Sequence, residues 1–559
     1  MKTIKYILAV TCCYLLVAST TSCSDFLDEM PTSKMTSEQI NTDLSLLEPA
    51  VDGLYTSWRG SKTSRPGFVL NMCGIDETKQ GMVQMTNASQ AGLDKYDGAL
   101  NGTSPQVSES WYSRWPVINS AARSIRGLEM LAEQETDEAQ LKKLNLLRAH
   151  ACFVRAVMSF ETTMLWGEVP VIEIEDFNAR INMARQPLDV VWKQIFDDLT
   201  FAAANLEDGR QTDDRARKGA AIAMLGKIHM YAPVESGYRD FAKAITYFDQ
   251  IKSTYSLHGN FAQLFDEFGW LDFNSDESIF EIDYDPNNAR RSGWMWDFGS
   301  RTLADRRGGI GTDPDGNRNP GWGGGEGCYM GGYEVVVPTE YAHKMKDAGG
   351  VWEEGDLRRA ASIREDYTYY TDVNDLTKFI PAPTSPAWMA DELEPHVKKW
   401  EDRRIDQFAP NDLAVEATNG RSMYRSGKNY MYLRYGDILL CYAECLNETG
   451  KSAEAMAMVN QVRARAWGGT LPADKQWSGL SQEQFRVQIM DERIRELCFE
   501  NWRRMDLIRT GMYVQLVKER NPWTKESGLI KEHHVRWPIP EDEIKNNPDM
   551  EMTDQNPGY

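Results

Sequence analysis

The fold is decided by residues 434–465, which read RYGDILLCYAECLNETGKSAEAMAMVNQVRAR. Small and bulky apolar residues recur in this stretch at the offsets of two packed helices, with Gly450 at the turn between them. The small residues allow a close approach of the helices, and the bulky residues fill the space between them. These positions are Ala443, Leu446, Ala455, Val459 and Val462. The spacing predicts a helical hairpin of the tetratricopeptide type.

A second hairpin of the same type is predicted upstream. Its first helix has Gly226 at the small position. The apolar face of its second helix consists of Ala244, Phe248 and Ile251. Hairpins of this kind cannot bury their apolar faces alone, so they stack side by side. The sequence therefore predicts a mainly α protein, a tetratricopeptide-like helical solenoid with little β structure.

A different kind of sequence lies between the two hairpins, from about residue 285 to residue 417. Residues 308–333 contain 11 glycines among 26 positions. Glycine at this density does not form regular helix, and the segment has no repeat that would mark it as a linker. We therefore expect long irregular loops that wrap the solenoid. Binding sites concentrate in loops held by a rigid scaffold.

Composition and charge limit the possible classes of protein. The chain has 559 residues, of which 42% are apolar and 26% are charged, as in an average folded protein. Its formal net charge is −21, and a negative field of this size repels nucleic acid and anionic lipid headgroups. A nucleic-acid partner is therefore not expected. The 17 tryptophans and 42 glycines stand out, because a helical core has little use for both in such numbers.

The N-terminal residues have the features of a bacterial lipoprotein leader. Two lysines precede an apolar stretch at residues 6–18, which is too short to span a bilayer, and small residues lead to Cys23. We predict a signal peptide over residues 1–22 and a lipid anchor on Cys23, although Thr20 stands where such leaders usually have leucine. Two acyl chains on this cysteine would give stable anchoring. We expect membrane contact through this anchor alone.

No motif nominates an enzyme active site or a metal centre. Residues 449–452 (TGKS) imitate the end of a phosphate-binding loop, but the first glycine of that motif is missing. The histidines are scattered, and the six cysteines after Cys23 lack metal-ligand spacing, which favours buried packing for them. Asp313, Asp315 and Asn317 resemble part of a calcium loop without its first and last ligands, so either a surface turn or adventitious calcium accounts for them. We expect no enzymatic activity, no cofactor and no dedicated metal site.

Ordered motifs along the whole chain give a further resemblance. They are CSDFLD at residues 23–28, RA at 148–149, WGEVP at 166–170, RYGDILL at 434–440, YAE at 442–444, NQVRAR at 460–465, ERIREL at 492–497, ENWRRMDLIR at 500–509, WPIP at 537–540 and QNPGY at 555–559. In these motifs the chain resembles the SusD/RagB family of outer-membrane nutrient-binding lipoproteins. The resemblance implies a cell-surface protein of the outer membrane that binds a glycan and has no catalytic activity. It also implies a partner, a SusC-like TonB-dependent transporter on which the protein sits as a lid.

These features divide the chain into three parts. We predict a signal peptide over residues 1–22, an N-terminal SusD-like helical region with tetratricopeptide-like pairs over 23–270, and a C-terminal SusD/RagB region over 271–559. The last part contains the loop-rich ligand-binding segment 285–417. Charges of opposite sign recur at helical spacing within 492–509. We interpret them as structural ion pairs that lock the C-terminal helices against the loop layer.

Two clusters combine aromatic rings with polar side chains, which a glycan platform requires because sugar rings stack on aromatic faces while their hydroxyls need hydrogen-bond partners. The first cluster contains Asp76 and Tyr96, with Glu77, Asp94 and Asp97 beside them. The second contains Arg290, Trp294, Trp296, Trp322 and Tyr329, with Arg291 beside them. The resemblance places both clusters in the family's ligand-contacting loops. Packing under the loop remains an alternative for each aromatic residue.

Other tryptophans have a different expected role. Trp111 and Trp115 lie at helical spacing, and we predict that they belong to the core, as do Trp166, Trp192 and Trp502.

A second function also stays open. In that alternative the protein is a SusD-like lid that binds a peptide or a protein and has no glycan ligand.

Overall fold

The computed structural model describes residues 41–82, 84–177, 183–265, 273, 275–284, 294–299, 333–365, 368–370, 379–381, 394–401 and 428–559. Helices dominate this part of the chain. They are α1 (Leu44–Lys62), α2 (Ala88–Lys95), α3 (Pro105–Tyr112), α4 (Trp115–Gln134), α5 (Glu138–Trp166), α6 (Leu188–Asn205), α7 (Lys218–Tyr231), α8 (Phe241–Ile251), α9 (Glu340–His343), α10 (Arg358–Ser362), α11 (Tyr435–Glu448), α12 (Ser452–Ala466), α13 (Gln482–Leu497), α14 (Arg503–Thr510), α15 (Tyr513–Arg520), α16 (Pro522–Ser527) and α17 (Glu541–Asn546).

The strands of the described residues are short. They are β1 (Thr78–Lys79), β2 (Ser278–Ile282), β3 (Val337–Pro338), β4 (Ile363–Arg364), β5 (Thr368–Tyr370), β6 (Phe379–Pro381), β7 (His396–Val397) and β8 (Tyr430–Arg434). They pair as antiparallel two-stranded sheets, β1 with β3, β2 with β8, β4 with β7 and β5 with β6. The β2–β8 pair joins Ile282 to Tyr430. Residues that precede the predicted loop segment 285–417 are therefore paired by backbone hydrogen bonds with residues that follow it.

Side-chain caps fix the starts of helices α5 and α13. Asp137 Oδ1 accepts a hydrogen bond of 2.9 Å from the Gln140 amide at the start of α5. At the start of α13, Ser481 and Gln484 each bond the backbone amide of the other and form a capping box. Each cap satisfies an amide that has no partner within its own helix.

The helices stack as a solenoid. The contacts run in the order α1, α4, α5, α6, α7 and α8, and α8 then packs against α11. Helix α11 pairs with α12 and also contacts α13. The contact between α8 and α11 joins the two predicted hairpins, which are α7–α8 and α11–α12. The prediction of a mainly α, tetratricopeptide-like fold is confirmed.

The residues that predicted the hairpins have the expected packing. Ala443, Ala455, Val459 and Val462 are completely buried, and Leu446 is 1% exposed. In the earlier hairpin, a methyl group added at Gly226 would lie 2.3 Å from Cε1 of Phe248. Glycine at this position therefore permits the close approach of α7 and α8.

Tryptophans form much of the core. Trp111, Trp166, Trp192 and Trp502 are at most 2% exposed, as predicted. Trp115 differs, because it is half-buried and packs against the core from its edge. Within the described ranges, no helix is both long and apolar enough to cross a membrane.

The charged C-terminal motifs form a buried ion-pair network. Arg434 at the end of β8 lies 2.7 Å from Glu277, 2.5 Å from Glu496 and 2.7 Å from Glu500. All four side chains are at most 1% exposed. Buried charges require partners of this kind, since an unpaired ion in the interior is costly.

The network also reaches the segment between β3 and β8. Arg358 contacts Asp356 at 2.6 Å and Glu496 at 2.9 Å, and Lys399 contacts Glu500 at 2.8 Å. The prediction that these charges form structural ion pairs is confirmed, and the pairs join the C-terminal residues Glu496 and Glu500 to Arg358 and Lys399 of the predicted segment 285–417. Most partners lie far apart in sequence, however, and not at the i+3 and i+4 positions of one helix.

Candidate functional site

The segment with the first predicted cluster is fixed to the C-terminal helices. The Asp76 carboxylate receives hydrogen bonds from Arg503 Nε at 2.7 Å and Nη2 at 2.6 Å, and from Arg520 Nη1 at 3.1 Å. Asp76 has no exposed surface. Burial by itself raises its pKa, but the two guanidinium groups outweigh burial and hold the pKa of this carboxyl below its usual value. Asp76 is therefore the ionised partner of a structural ion pair.

Tyr96 also lies inside the protein. Its hydroxyl group is 2.7 Å from the hydroxyl of Tyr513 and donates to the Gly74 carbonyl. Only 3% of Tyr96 is exposed. The prediction that Asp76 and Tyr96 contact a glycan is not supported by these positions, because both side chains direct their polar atoms into the core.

A partly exposed surface forms where residues 294–299 and 333–335 meet the N-terminal helices. Arg65 Nε donates to Asp297 Oδ1 at 3.0 Å, and the guanidinium carbon lies 5.2 Å from the centre of the Tyr333 ring. The side chain of Arg65 is 41% exposed. Gln84 donates a hydrogen bond from Nε2 to the Tyr333 carbonyl. We call the surface of Arg65, Gln84 and Tyr333 the loop-base surface.

Backbone hydrogen bonds close this junction. The Val335 amide donates to the Asp297 carbonyl at 2.8 Å, and the Glu334 amide donates to the Gly299 carbonyl at 2.9 Å. The residues that enter and leave segment 300–332 are therefore held side by side, next to the loop-base surface.

A second aromatic residue lies near the β1 strand. Trp523 Nε1 donates to the Gln80 carbonyl at 2.9 Å, and Lys79 Nζ lies 5.5 Å from the centre of a Trp523 ring. Lys79 also forms an ion pair of 2.7 Å with Glu394. Sequence reasoning missed Arg65, Tyr333 and Trp523, because each meets its partners only through contacts that are distant in sequence. The one available signal was Tyr333, at the end of the glycine-rich stretch.

The second predicted cluster is described in part. Trp294 and Trp296 lie on a short 3₁₀ helix, Trp294–Phe298, which is attached to the loop-base surface through Asp297. The side chains of Trp294 and Trp296 lie outside the description, as do Arg290, Trp322 and Tyr329. Their contact with a glycan stays a prediction. The predicted leader 1–22 and Cys23 also lie outside the described residues.

The described cysteines have thiols of low reactivity. Cys73, Cys152, Cys441, Cys445 and Cys498 are free and buried, as the sequence predicted. Burial raises the pKa of Cys441 to about 12 and that of Cys498 to about 11, so these thiols are not nucleophiles at neutral pH. Among the residues that the structure describes, no group of three or more His, Cys, Asp or Glu side chains could hold a metal ion.

Comparison with known proteins gives the family. The sequence model of the SusD family matches residues 276–559, and a second family model, "Starch-binding associating with outer membrane", matches residues 25–230. The chain belongs to the SusD family, whose members are glycan-binding proteins associated with the outer membrane.

Individual relatives cover nearly the full length. SusD-like protein P25 of Formosa agariphila is 26% identical over 97% of this chain and 98% of its own length. A SusD homologue of known structure from Bacteroides thetaiotaomicron has a TM-score of 0.71 at 22% identity and covers 94% of this chain and 98% of its own. A laminarin-binding SusD-like protein has a TM-score of 0.65 at 20% identity, with 93% and 100% coverage. At these identities the structures establish the shared fold.

Proposed function

We propose that the protein is a non-catalytic cell-surface lipoprotein that binds an oligo- or polysaccharide and delivers it to a SusC-like TonB-dependent transporter. The observation that carries the proposal is the match of two SusD-type family models to residues 25–230 and 276–559, one of them described as starch-binding. A structural neighbour that binds laminarin supports a glycan as the ligand.

The loop-base surface supports the proposal physically. An aromatic ring, an amide and a guanidinium group lie within one small area at Tyr333, Gln84 and Arg65. Sugar rings stack on aromatic faces, and their hydroxyl groups accept from and donate to such polar groups. Because the Trp294–Phe298 helix is attached to the same surface through Asp297, Trp294 and Trp296 are the residues that would extend it.

Binding is tested by isothermal titration of the full chain with laminarin, starch, xylan and mannan oligosaccharides. We expect affinity for one class and no new reducing ends after incubation. The combined variant Trp294→Ala, Trp296→Ala and Trp322→Ala should lose most of that affinity. Trp467→Ala is the matched control, since Trp467 is half-buried at the end of α12.

The outcomes separate the candidate functions. Unchanged affinity in the triple variant would show that the assigned surface is wrong. Binding of peptides with no affinity for any glycan would favour the peptide-binding or protein-binding lid. Release of reducing ends would show a glycosidase.

The anchor and the partner are tested in cells. Cys23→Ala should move the protein from the outer-membrane fraction to the soluble fraction if Cys23 carries the acyl chains. Purification of the wild-type protein in mild detergent should recover a TonB-dependent transporter with it. Retention of Cys23→Ala in the membrane fraction without the transporter would contradict the lipid anchor.

A further inference from the structure

A separate cavity lies between the α3–α4 junction and the C-terminal helix α17. Its volume is about 360 Å³, which falls within the range of sites for small organic ligands. Tyr112, Trp115 and Asn119 line one side, and Asp542, Glu543 and Asn546 line the other. We call it the α17 pocket. None of these residues belongs to the loop-base surface.

Tyr112 gives the α17 pocket an exposed aromatic wall. Of its surface, 42% is exposed, and it is the aromatic member among the exposed large apolar side chains of the described residues. A tyrosine ring in this position offers a flat apolar face, and its hydroxyl group remains available for hydrogen bonds. An exposed ring that borders a cavity points to a ligand with an apolar face.

Buried neighbours hold the Trp115 part of this wall and the backbone beside Tyr112. The Trp115 ring packs on Trp111 at a centroid distance of 5.0 Å, and Trp111 packs on Trp166 at 5.2 Å. Between Tyr112 and Trp115, the buried Arg114 donates from Nη1 to the Ser110 carbonyl at 2.8 Å. A wall that is fixed before the ligand arrives loses little entropy on binding.

The opposite wall supplies hydrogen-bonding groups. Glu543 is held in place, since Oε2 accepts from Trp111 Nε1 at 3.3 Å and Oε1 accepts from Asn547 Nδ2 at 3.3 Å. Burial raises the pKa of Tyr112 to about 12, and the nearby charges of Glu543 and Asp542 add to this effect. On the facing wall, the Tyr112 hydroxyl is protonated at neutral pH, as it is in an ordinary tyrosine, and can donate.

Charge limits the ligand further. The lining contains Asp542 and Glu543 but no lysine or arginine, so an anionic group would be repelled. On the same side as Tyr112, Trp115 Nε1 and Asn119 Oδ1 have no hydrogen-bond partner within the described part of the chain. A buried polar atom without a partner is unfavourable, and a hydroxyl-rich ligand offers both donors and acceptors.

We propose that the α17 pocket is a second saccharide subsite. A sugar ring of a neutral glycan stacks on Tyr112 there, and its hydroxyl groups form hydrogen bonds with Asp542 and Asn546. The inference rests on the proposed function, because it takes the ligand to be a glycan. It requires none of the residues assigned to the loops.

The test uses the full chain and titrates neutral laminarin and starch oligosaccharides against three variants. They are Tyr112→Ala, Tyr112→Phe and Val234→Ala. Val234 is an exposed apolar residue outside the pocket, so its variant is the matched control. In a background with Trp294→Ala, Trp296→Ala and Trp322→Ala, we expect residual binding that falls about tenfold with Tyr112→Ala, because one stacked ring is lost. Tyr112→Phe should retain most of it, and thermal unfolding should be unchanged.

Two results would overturn the inference without touching the proposed function. The wild type could bind glycan while Tyr112→Ala has no effect in either background, or the residual binding could be specific for sulfated or uronic oligosaccharides. A wild type that binds no oligosaccharide at all would instead remove the proposed function together with this subsite. Asp542→Lys tests the contribution of charge to ligand selection. It should reduce the affinity for neutral saccharides less than Tyr112→Ala does, and it should allow a uronic oligosaccharide to bind.

Discussion

The contact between Gly226 and Phe248 predicts a substitution whose effect opposes the usual helix preference. Gly226→Ala replaces glycine in the interior of α7, and in an open helix this change stabilises by up to about 1 kcal/mol. Here the new Cβ would lie 2.3 Å from Cε1, 2.7 Å from Cδ1 and 2.8 Å from Cζ of Phe248. Contacts this short force one of the two groups to move.

Phe248 has little room to move. Its side chain is 1% exposed, and its ring lies 6.0 Å from that of Tyr442 on α11. Overpacking a buried site of this kind typically costs about 1–3 kcal/mol. After subtraction of the gain in helix propensity of up to about 1 kcal/mol, we expect Gly226→Ala to lower the free energy of unfolding by up to about 2 kcal/mol.

Denaturant unfolding followed by tryptophan fluorescence measures the change, and hydrogen exchange in peptides from α7 and α8 locates it. Gly53→Ala in α1 is the matched control, because a Cβ there meets no atom within 4 Å; it should stabilise the protein. Adding Phe248→Leu to Gly226→Ala should recover part of the loss. If Gly226→Ala proved as stabilising as Gly53→Ala, the close-packing explanation of this hairpin would be wrong.

Three further changes probe the buried charges by denaturant unfolding. Asp76→Ala leaves the Arg503 guanidinium buried without its carboxylate and should cost about 3–5 kcal/mol; a loss as small as that of an exposed ion pair would contradict the pairing. Burial raises the pKa of Glu77 from 4.5 to about 8, so the free energy of unfolding of the wild type falls as the pH rises between these values. Glu77→Gln cannot ionise, so its stability relative to the wild type should rise by up to about 1.4 kcal/mol per pH unit over the same range. Parallel pH profiles of the two proteins would refute the raised pKa. Arg434→Met should destabilise strongly because several buried carboxylates lose a partner, and Lys193→Met at an exposed ion pair should leave the unfolding midpoint unchanged.

Local packing could be predicted from the sequence, and long-range packing could not. The α11–α12 hairpin follows from Ala443, Leu446 and Ala455, because residues of one helical pair report on each other through fixed offsets. By contrast, the β2–β8 pair joins Ile282 to Tyr430, across the whole loop segment. The local sequence of a short strand does not indicate which other strand it pairs with.

The candidate site shows the same division. Asp76 and Tyr96 were selected because acidic and aromatic residues cluster there, a composition shared by glycan platforms and by buried ion-pair networks. The contact of Asp76 with Arg503, which lies 427 residues further along the chain, assigns Asp76 to the buried ion-pair network. The charged C-terminal motifs were recognised as structural, but their partners, such as Glu277 for Arg434, depend on tertiary contacts.

The buried charges separate the stability of the solenoid from the sequence of the segments that are anchored to it. Arg358 and Lys399 tie the segment between β3 and β8 to α13 and Glu500, while Asp297 and Val335 close the base of segment 300–332. Once the ends of a loop are fixed in this way, doubling its length changes the closure free energy by only about 0.6 kcal/mol. Sequence and length between the anchors can therefore change with little effect on the solenoid, whereas loss of a single anchoring charge exposes a buried partner at several times that cost. On this reasoning the segment that we propose to bind the glycan can vary, because the network beneath it sets the stability of the solenoid.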